Sequence, residues 1–239
     1  MAKYFFAAFD CYCGSLGCIE CRTRTQANVS AEFVKVFDPY AKPAFITVIP
    51  EDAQYTSDEL ADFDLNAFVL KHRRRIAACL PVDCIAAGCV DFSLNVFENG
   101  EGKWSVHLHL ILSRMLTEKE KRVLKAKYPR DPENNVFVPV KQKAIQPGTL
   151  SDIVAPYVYK NFFTLRSIYI AIPKSGYRNS YRDSVDQPLS VPDAAVLNAA
   201  LGRFQVMDPL ILIGLKRARK AKDDDPASIT LITACRGSA

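Results

Sequence analysis

The chain has 239 residues, 49% of them hydrophobic, and a formal charge of +5. That is enough for one sizeable core with room for a small appended unit. The mild positive balance permits a nucleic-acid or other anionic partner without demanding one. The longest late apolar run, PLILIGL at 209–215, is far too short to span a bilayer.

The opening segment, MAKYFFAAFD, carries only a short apolar patch, unlike a secretory leader. The expectation is a cytoplasmic protein whose eight cysteines are reduced thiols or metal ligands rather than disulfides. Four of them cluster in CYCGSLGCIEC: Cys11, Cys13, Cys18 and Cys21. Thiolates at such short spacing can close around one tetrahedral Zn2+, and Gly14 and Gly17 let the backbone turn tightly. Residues 9–24 are therefore a candidate zinc knuckle. Cys79, Cys84, Cys89 and Cys235 stand apart in apolar contexts and are expected in the core.

Phe45–Ile49, between two prolines, reads as a buried strand. From Ser57 to Leu80 the spacing of Leu65, Val69, His72, Ile76 and Leu80 predicts a helix. His72 falls on its apolar face as a core or boundary histidine, and Lys71, Arg73, Arg74 and Arg75 on a solvated one. A β-hairpin follows. Val90, Phe92, Leu94 and Val96 alternate with Asp91, Ser93 and Asn95, and turn formers fill 99–102. On the returning strand Val106, Leu108, Leu110 and Leu112 share one face, and His107, His109 and Ile111 the other. TEKE at 117–120 is a capping box for a further helix. Val136–Val140 is a strand candidate, Ser151–Phe163 a helix and Ser167–Ile172 a strand. Residues 173–192 read as a linker or long loop. Two helices are expected beyond it, one after Asp193 and one from Asp208-Pro209, the last ending in the basic KRARKAK.

Two of the three histidines in the chain sit one residue apart, on one face of one strand. Their imidazoles can reach a single metal ion. An antiparallel register summing to about 202 would set Ser93 opposite His109, with Asp91 diagonal to it. Two histidines and a carboxylate make a three-ligand site with open positions. Downstream, Tyr157 and Lys160 are three apart and share a helical face. A phenol there can attack phosphorus, with the lysine balancing charge.

This combination resembles the HUH endonucleases, the rolling-circle replication initiators and related relaxases and transposases, and most of all the plasmid and phage initiator branch. The likeness rests on the H-L-H run with Trp104 before it, on Asp91-Phe92-Ser93-Leu94-Asn95 as the preceding strand, on FITVI at 45–49, and on Tyr157-x-x-Lys160. It covers about residues 10–165. Some members carry N-terminal cysteines as a zinc site. Asp91 stands where Glu is commoner, Pro156 directly precedes the tyrosine, and Ile153 occupies a position often held by Glu. Tyr159 is a second candidate nucleophile.

What the resemblance implies is an α+β fold: a central antiparallel β-sheet with flanking helices, in an HUH-type catalytic domain over residues 1–172. Residues 193–239 would form a helical segment with a basic end. The implied activity is nicking of single-stranded DNA at a replication origin. His107, His109 and Asp91 would hold catalytic Mg2+ or Mn2+, Tyr157 would form a 5′-phosphotyrosine link, and Lys160 would balance charge. A host helicase is a possible partner, and no membrane is implied. Three other readings stay open: a transposase with the same chemistry, a zinc-binding DNA-binding regulator without catalysis, and a two-histidine, one-carboxylate iron oxygenase.

Overall fold

A computed structural model describes residues 13–98, 100–132, 136–171, 181–218 and 227–234. The first element is helix α1, Ile19–Phe37, with Cys18 at its N-cap. Strand β1 (Ala44–Val48) and the short β2 (Gln54–Tyr55) come next. The expected helix over 57–80 is two: α2, Ser57–Ala61, and α3, Leu65–Ala77. Thr56 caps the first, in a capping box with Glu59, and Asp64 caps the second by accepting from Ala67 N.

The hairpin is β3, Ala86–Val96, and β4, Gly102–Leu112. Helix α4, Glu118–Lys127, starts at the Thr117–Glu120 capping box. Strand β5 is Val140–Ala144, so the strand expected over 136–140 begins where that stretch ends. Residues 150–154 form a single π-helical turn leading into α5, Ala155–Val158. Then come β6 (Thr164–Ala171), β7 (Tyr181–Pro188) and α6 (Val191–Leu201). Residues 181–188, expected within a linker, instead pair antiparallel with β6.

The helix expected from Asp208 is replaced by three short strands: β8 (Leu210–Ile213), β9 (Leu215–Arg217) and β10 (Leu231–Thr233). Its β-branched Ile211 and Ile213 and the left-handed Gly214 (φ 71°) suit a brief extended run better than a helix. Lys216 and Arg217 of the basic run lie in β9. Arg219, Lys220, Lys222, Cys235 and Cys11 lie outside the described residues.

The main sheet is mixed, in the order β5-β1-β4-β3-β6-β7, with β2 also on β4 and β8 also on β3. Only β3 and β6 pair in parallel among these strands, so the expected antiparallel sheet carries one parallel junction. Both faces of its centre are covered. On one, α2, α3 and α6 pack Leu60, Leu65, Ile76 and Leu197 against Phe92, Trp104, Leu108 and Leu110. On the other, α1 and α5 pack Val29, Phe33, Ala155 and Val158 against Ala87, Cys89 and Ile111.

The histidine face is thus not an open one, as the alternation on β3 and β4 suggests. It is apolar at one end and polar at the other. Gly88 marks a close approach of the two hairpin strands: a Cβ on it would lie 1.9 Å from the backbone oxygen of His109. Cys79, Cys84 and Cys89 are all buried. So is His72, whose Nδ1 meets the Tyr128 hydroxyl at 3.1 Å.

Candidate metal centre

The hairpin register sums to 198, not 202. Asp91 faces His107 directly, and Cys89 faces His109. The shift is an even number of residues, so every side chain keeps its face while its partner changes. It places the carboxylate between the imidazoles: Asp91 Oδ2 lies 3.0 Å from His107 Nε2 and 3.2 Å from His109 Nε2. The ligand atoms of all three residues lie within 4.8 Å of one another. All three side chains are buried, so the site lies on a covered face of the sheet rather than an open one.

Each outer ring nitrogen has a partner of its own. His107 Nδ1 donates to the Ser105 carbonyl at 3.4 Å, and a carbonyl can only accept. Its Nε2 faces Asp91 Oδ2 across the hairpin. His109 Nδ1 meets the Thr47 hydroxyl at 3.1 Å, and Phe45 stacks on the ring at 5.3 Å. Burial lowers the His109 pKa to about 4, with Asp91 opposing, so this ring is neutral near pH 7. Burial works to raise the Asp91 pKa, but His107 and Lys160 outweigh it and hold the carboxyl well below its usual range.

Asp91 Oδ1 and His109 Nε2 are buried and without a hydrogen bond of acceptable geometry. A divalent cation would satisfy both atoms. The donor set, two imidazoles and a carboxylate, suits such an ion with coordination positions to spare. The residues fit the group.

Tyr157 and Lys160 reach this place by a route other than a shared helix face. Helix α5 ends at Val158, and Tyr159 is extended (φ −108°, ψ 91°). The chain then turns Lys160 inward, Nζ 2.6 Å from Asp91 Oδ2 and 4.4 Å from the centre of the Tyr157 ring. Burial acts to lower the Lys160 pKa, but Asp91 and Tyr157 raise it further, so it stays charged. The Tyr157 ring lies 4.9 Å from that of His109 and is 41% exposed. Tyr159 is buried and donates to the Val206 carbonyl at 2.7 Å. Burial drives its pKa upward.

Pro156 sits in the first turn of α5, directly after the π-helical turn of residues 150–154. Helix α1 clamps this segment from both flanks. Gln26 Nε2 donates to the Pro156 carbonyl at 2.9 Å, and Arg22 Nε to the Asn161 carbonyl at 3.0 Å. Thr47, Phe45 and Arg22 are absent from the sequence-derived site. Thr47 and Phe45 had a visible signal: they are alternate residues of FITVI, on the face that β1 shares with His109 and Ile111.

A second group of possible metal ligands is Cys13, Cys18 and Cys21, also within 4.8 Å of one another. Cys13 and Cys21 sulfurs are 3.6 Å apart. Ligands at about 2.3 Å around a tetrahedral Zn2+ stand about 3.8 Å from each other, so the spacing fits. Burial pushes the Cys21 thiol up to about 12 against the amide of Gly14. A bound cation would reverse that.

No helix among the described residues is long and apolar enough to cross a membrane. The chain matches no family model, no curated protein and no solved structure at a significant level.

Proposed function

We propose that this protein is a cytoplasmic endonuclease and strand transferase that nicks single-stranded DNA through Tyr157, as a rolling-circle replication initiator of HUH type. One observation carries the reading: a half-exposed phenol and a buried ammonium meet on the same carboxylate–dihistidine group, at 4.9 Å (ring to ring) and 2.6 Å.

Asp91, His107 and His109 would hold a divalent ion, Mg2+ or Mn2+, which supplies Lewis-acid polarisation of the scissile phosphate. The Tyr157 hydroxyl oxygen attacks phosphorus in line. A Tyr157 O–P bond forms, the P–O3′ bond breaks, the phenol proton passes to water and the 3′ oxygen takes a proton from water as it leaves. Lys160 offsets negative charge as it builds. The phosphotyrosine keeps the bond energy needed for later rejoining, and the free 3′-hydroxyl primes synthesis, with a host helicase opening the duplex. A transposase would use the same residues.

Incubation with single-stranded circular DNA and Mn2+, followed by digestion and peptide sequencing, tests this. A DNA-linked peptide carrying Tyr157 is the expected product. Modification at Tyr159 would overturn the assignment, and cleavage without any linked tyrosine would overturn the chemistry. The cysteine group favours a second reading, a zinc-binding DNA regulator, which binds DNA and never nicks it.

A further inference from the structure

The face of the sheet that carries the triad is closed at its centre and open toward one edge. On β3 and β4 the side chains of Cys89, Asp91, His107, His109 and Ile111 are at most 4% exposed. On the next strand, β1, Phe45 and Thr47 point the same way, since both meet the His109 ring, yet they are only half-buried. Beyond β1 lies β5, at the edge of the sheet. Its Lys141 is paired with Thr47 and its Lys143 with Phe45, so both lysines stand on the triad's side, and both are exposed. Gln142, between them, is paired with Ile46 and turns to the other face.

The cover over this face stops at Tyr157. Its half-exposed ring meets the Phe45 ring edge-on at 5.7 Å. The open strip therefore begins at the candidate nucleophile and runs out to the sheet edge.

The charge on the strip is of one sign. Neither Lys141 nor Lys143 has an ion-pair partner among the described residues, whereas Lys71, Lys121 and Lys160 each hold a carboxylate. Two residues along a strand set their Cα atoms about 7 Å apart, close to the length of one extended nucleotide. Each ammonium can then meet one of two consecutive phosphates. The open part of the Phe45 ring beside them offers a base an aromatic surface. Lysines on an edge strand also deter edge-to-edge pairing, a role that leaves DNA binding untouched.

We propose that this β1–β5 strip is the track for single-stranded DNA on the 3′ side of the nick, with Lys141 and Lys143 on consecutive phosphates and a base against Phe45. The proposal rests on the DNA-nicking reading for its ligand and for the side assigned. In an in-line displacement the leaving 3′ oxygen departs opposite the attacking phenol. The nucleotide whose phosphate stays on Tyr157 remains on the tyrosine's own side, where the strip begins.

The first measurement is binding in EDTA, so that neither metal nor cleavage enters. Full-chain Tyr157→Phe protein is titrated against a fluorescent oligothymidylate over a range of salt concentrations. Adding Lys141→Gln with Lys143→Gln should make the salt slope shallower by about 1.4, two phosphate contacts at about 0.7 each. Lys125→Gln with Lys127→Gln, an equal charge change at exposed lysines of α4, should leave the slope as it is. All four lysines are exposed, so an unchanged melting temperature checks the fold. An unchanged slope in the β5 pair, or the same change in both pairs, overturns the track.

The second measurement uses wild-type protein, Mn2+ and linear single-stranded oligonucleotides of randomised sequence with 5-iodouracil in place of thymine. After adduct formation a high-salt wash leaves only the strand 3′ of the nick, held by Tyr157. Irradiation at low salt should cross-link it to peptides of β1 and β5. Cross-links there only before the wash, when the 5′ fragment is still bound, or none at all, overturn the track. Adducts that form while the β5 pair leaves the salt slope unchanged remove the track and leave the nuclease. A shallower slope with no adduct at any point removes the nuclease and leaves a strip that binds single-stranded DNA.

Discussion

The two groups of possible metal ligands are built in opposite ways. Asp91, His107 and His109 stand on two strands of 11 residues each, paired along their whole length. Their positions are set by the sheet, with or without an ion. Cys13, Cys18 and Cys21 come from an irregular stretch and the first turn of α1, where no long ladder holds the chain. A preformed site lends its geometry to chemistry, whereas a site closed by local chain needs its ion to hold its shape. The difference predicts that removing metal from the first group costs activity, and from the second costs stability.

The largest expected effect is on the strand group. His107→Gln should reduce the yield of tyrosine–DNA adduct to background while moving the melting temperature by only a few degrees. Both histidines are buried, so glutamine, which keeps volume and polarity, is a cleaner probe than alanine. An adduct yield near wild type would end the idea of a metal-bearing triad.

Next is the cysteine group. Protein purified without added metal should contain about one Zn2+ per chain. Cys18→Ser with Cys21→Ser should remove it and cost several kcal/mol of stability, read as an earlier thermal transition. Thiols of Cys11, Cys13, Cys18 and Cys21 titrating at once in the folded protein, with no zinc by elemental analysis, would show that the cluster is only packing.

Lys160 sharpens the contrast between a built site and an ion-dependent one. Lys160→Met strands Asp91 in a buried place without its ammonium partner, which should cost roughly 3–5 kcal/mol. Added Mn2+ should restore part of that loss, since a cation at the triad supplies the missing charge. No recovery across a Mn2+ titration would mean that the triad binds no ion of this kind.

The smallest effect is a control away from both groups. Burial lowers the His72 pKa to about 4, from an ordinary value of 6.5. The unfolded chain thus takes up the proton first. The contribution of neutral His72 to stability is full above pH 6.5, falls between pH 6.5 and 4, and levels off below. The full fall is about 3 kcal/mol at most. Chemical denaturation across that range should show a shallower decline in His72→Gln than in wild type; parallel curves would refute the assignment.

How much of this was legible follows from what each pattern encodes. Period-two alternation sorted Leu108 from His109 correctly, because a strand has two faces. It cannot sense a slide by an even number, so the partner of Asp91 came out four residues off. The turn decides that slide: Phe97 N donates to the Glu101 carbonyl at 2.9 Å, which centres the loop on residue 99 rather than 101. The odd face of β3 is apolar at Ala87 and Cys89 and polar from Asp91 onward, so alternation read only its polar half.

Helix α1 escaped notice because its core contact is a narrow stripe, Val29, Phe33 and Phe37, amid polar neighbours. PLILIGL looked like a helix start because of Asp208-Pro209, yet its short run pairs with β3. Tyr157 and Lys160 are adjacent in space, but a turn after Val158 achieves it, and three-residue spacing has no means of foretelling that turn.

The clamp on the tyrosine segment has a mechanical side. Helix α1 grips the carbonyls of Pro156 and Asn161, five residues apart around the phenol and the ammonium, and its own first turn grows out of the cysteine stretch. The segment therefore has little slack and moves with the helix as a stiff strut. In the proposed reaction, a DNA end joined to Tyr157 inherits that stiffness: it stays parked where it was cut, and the incoming 3′ end must do the travelling. Loosening the root of the strut at Cys18 would lengthen the tether without touching any atom of the triad.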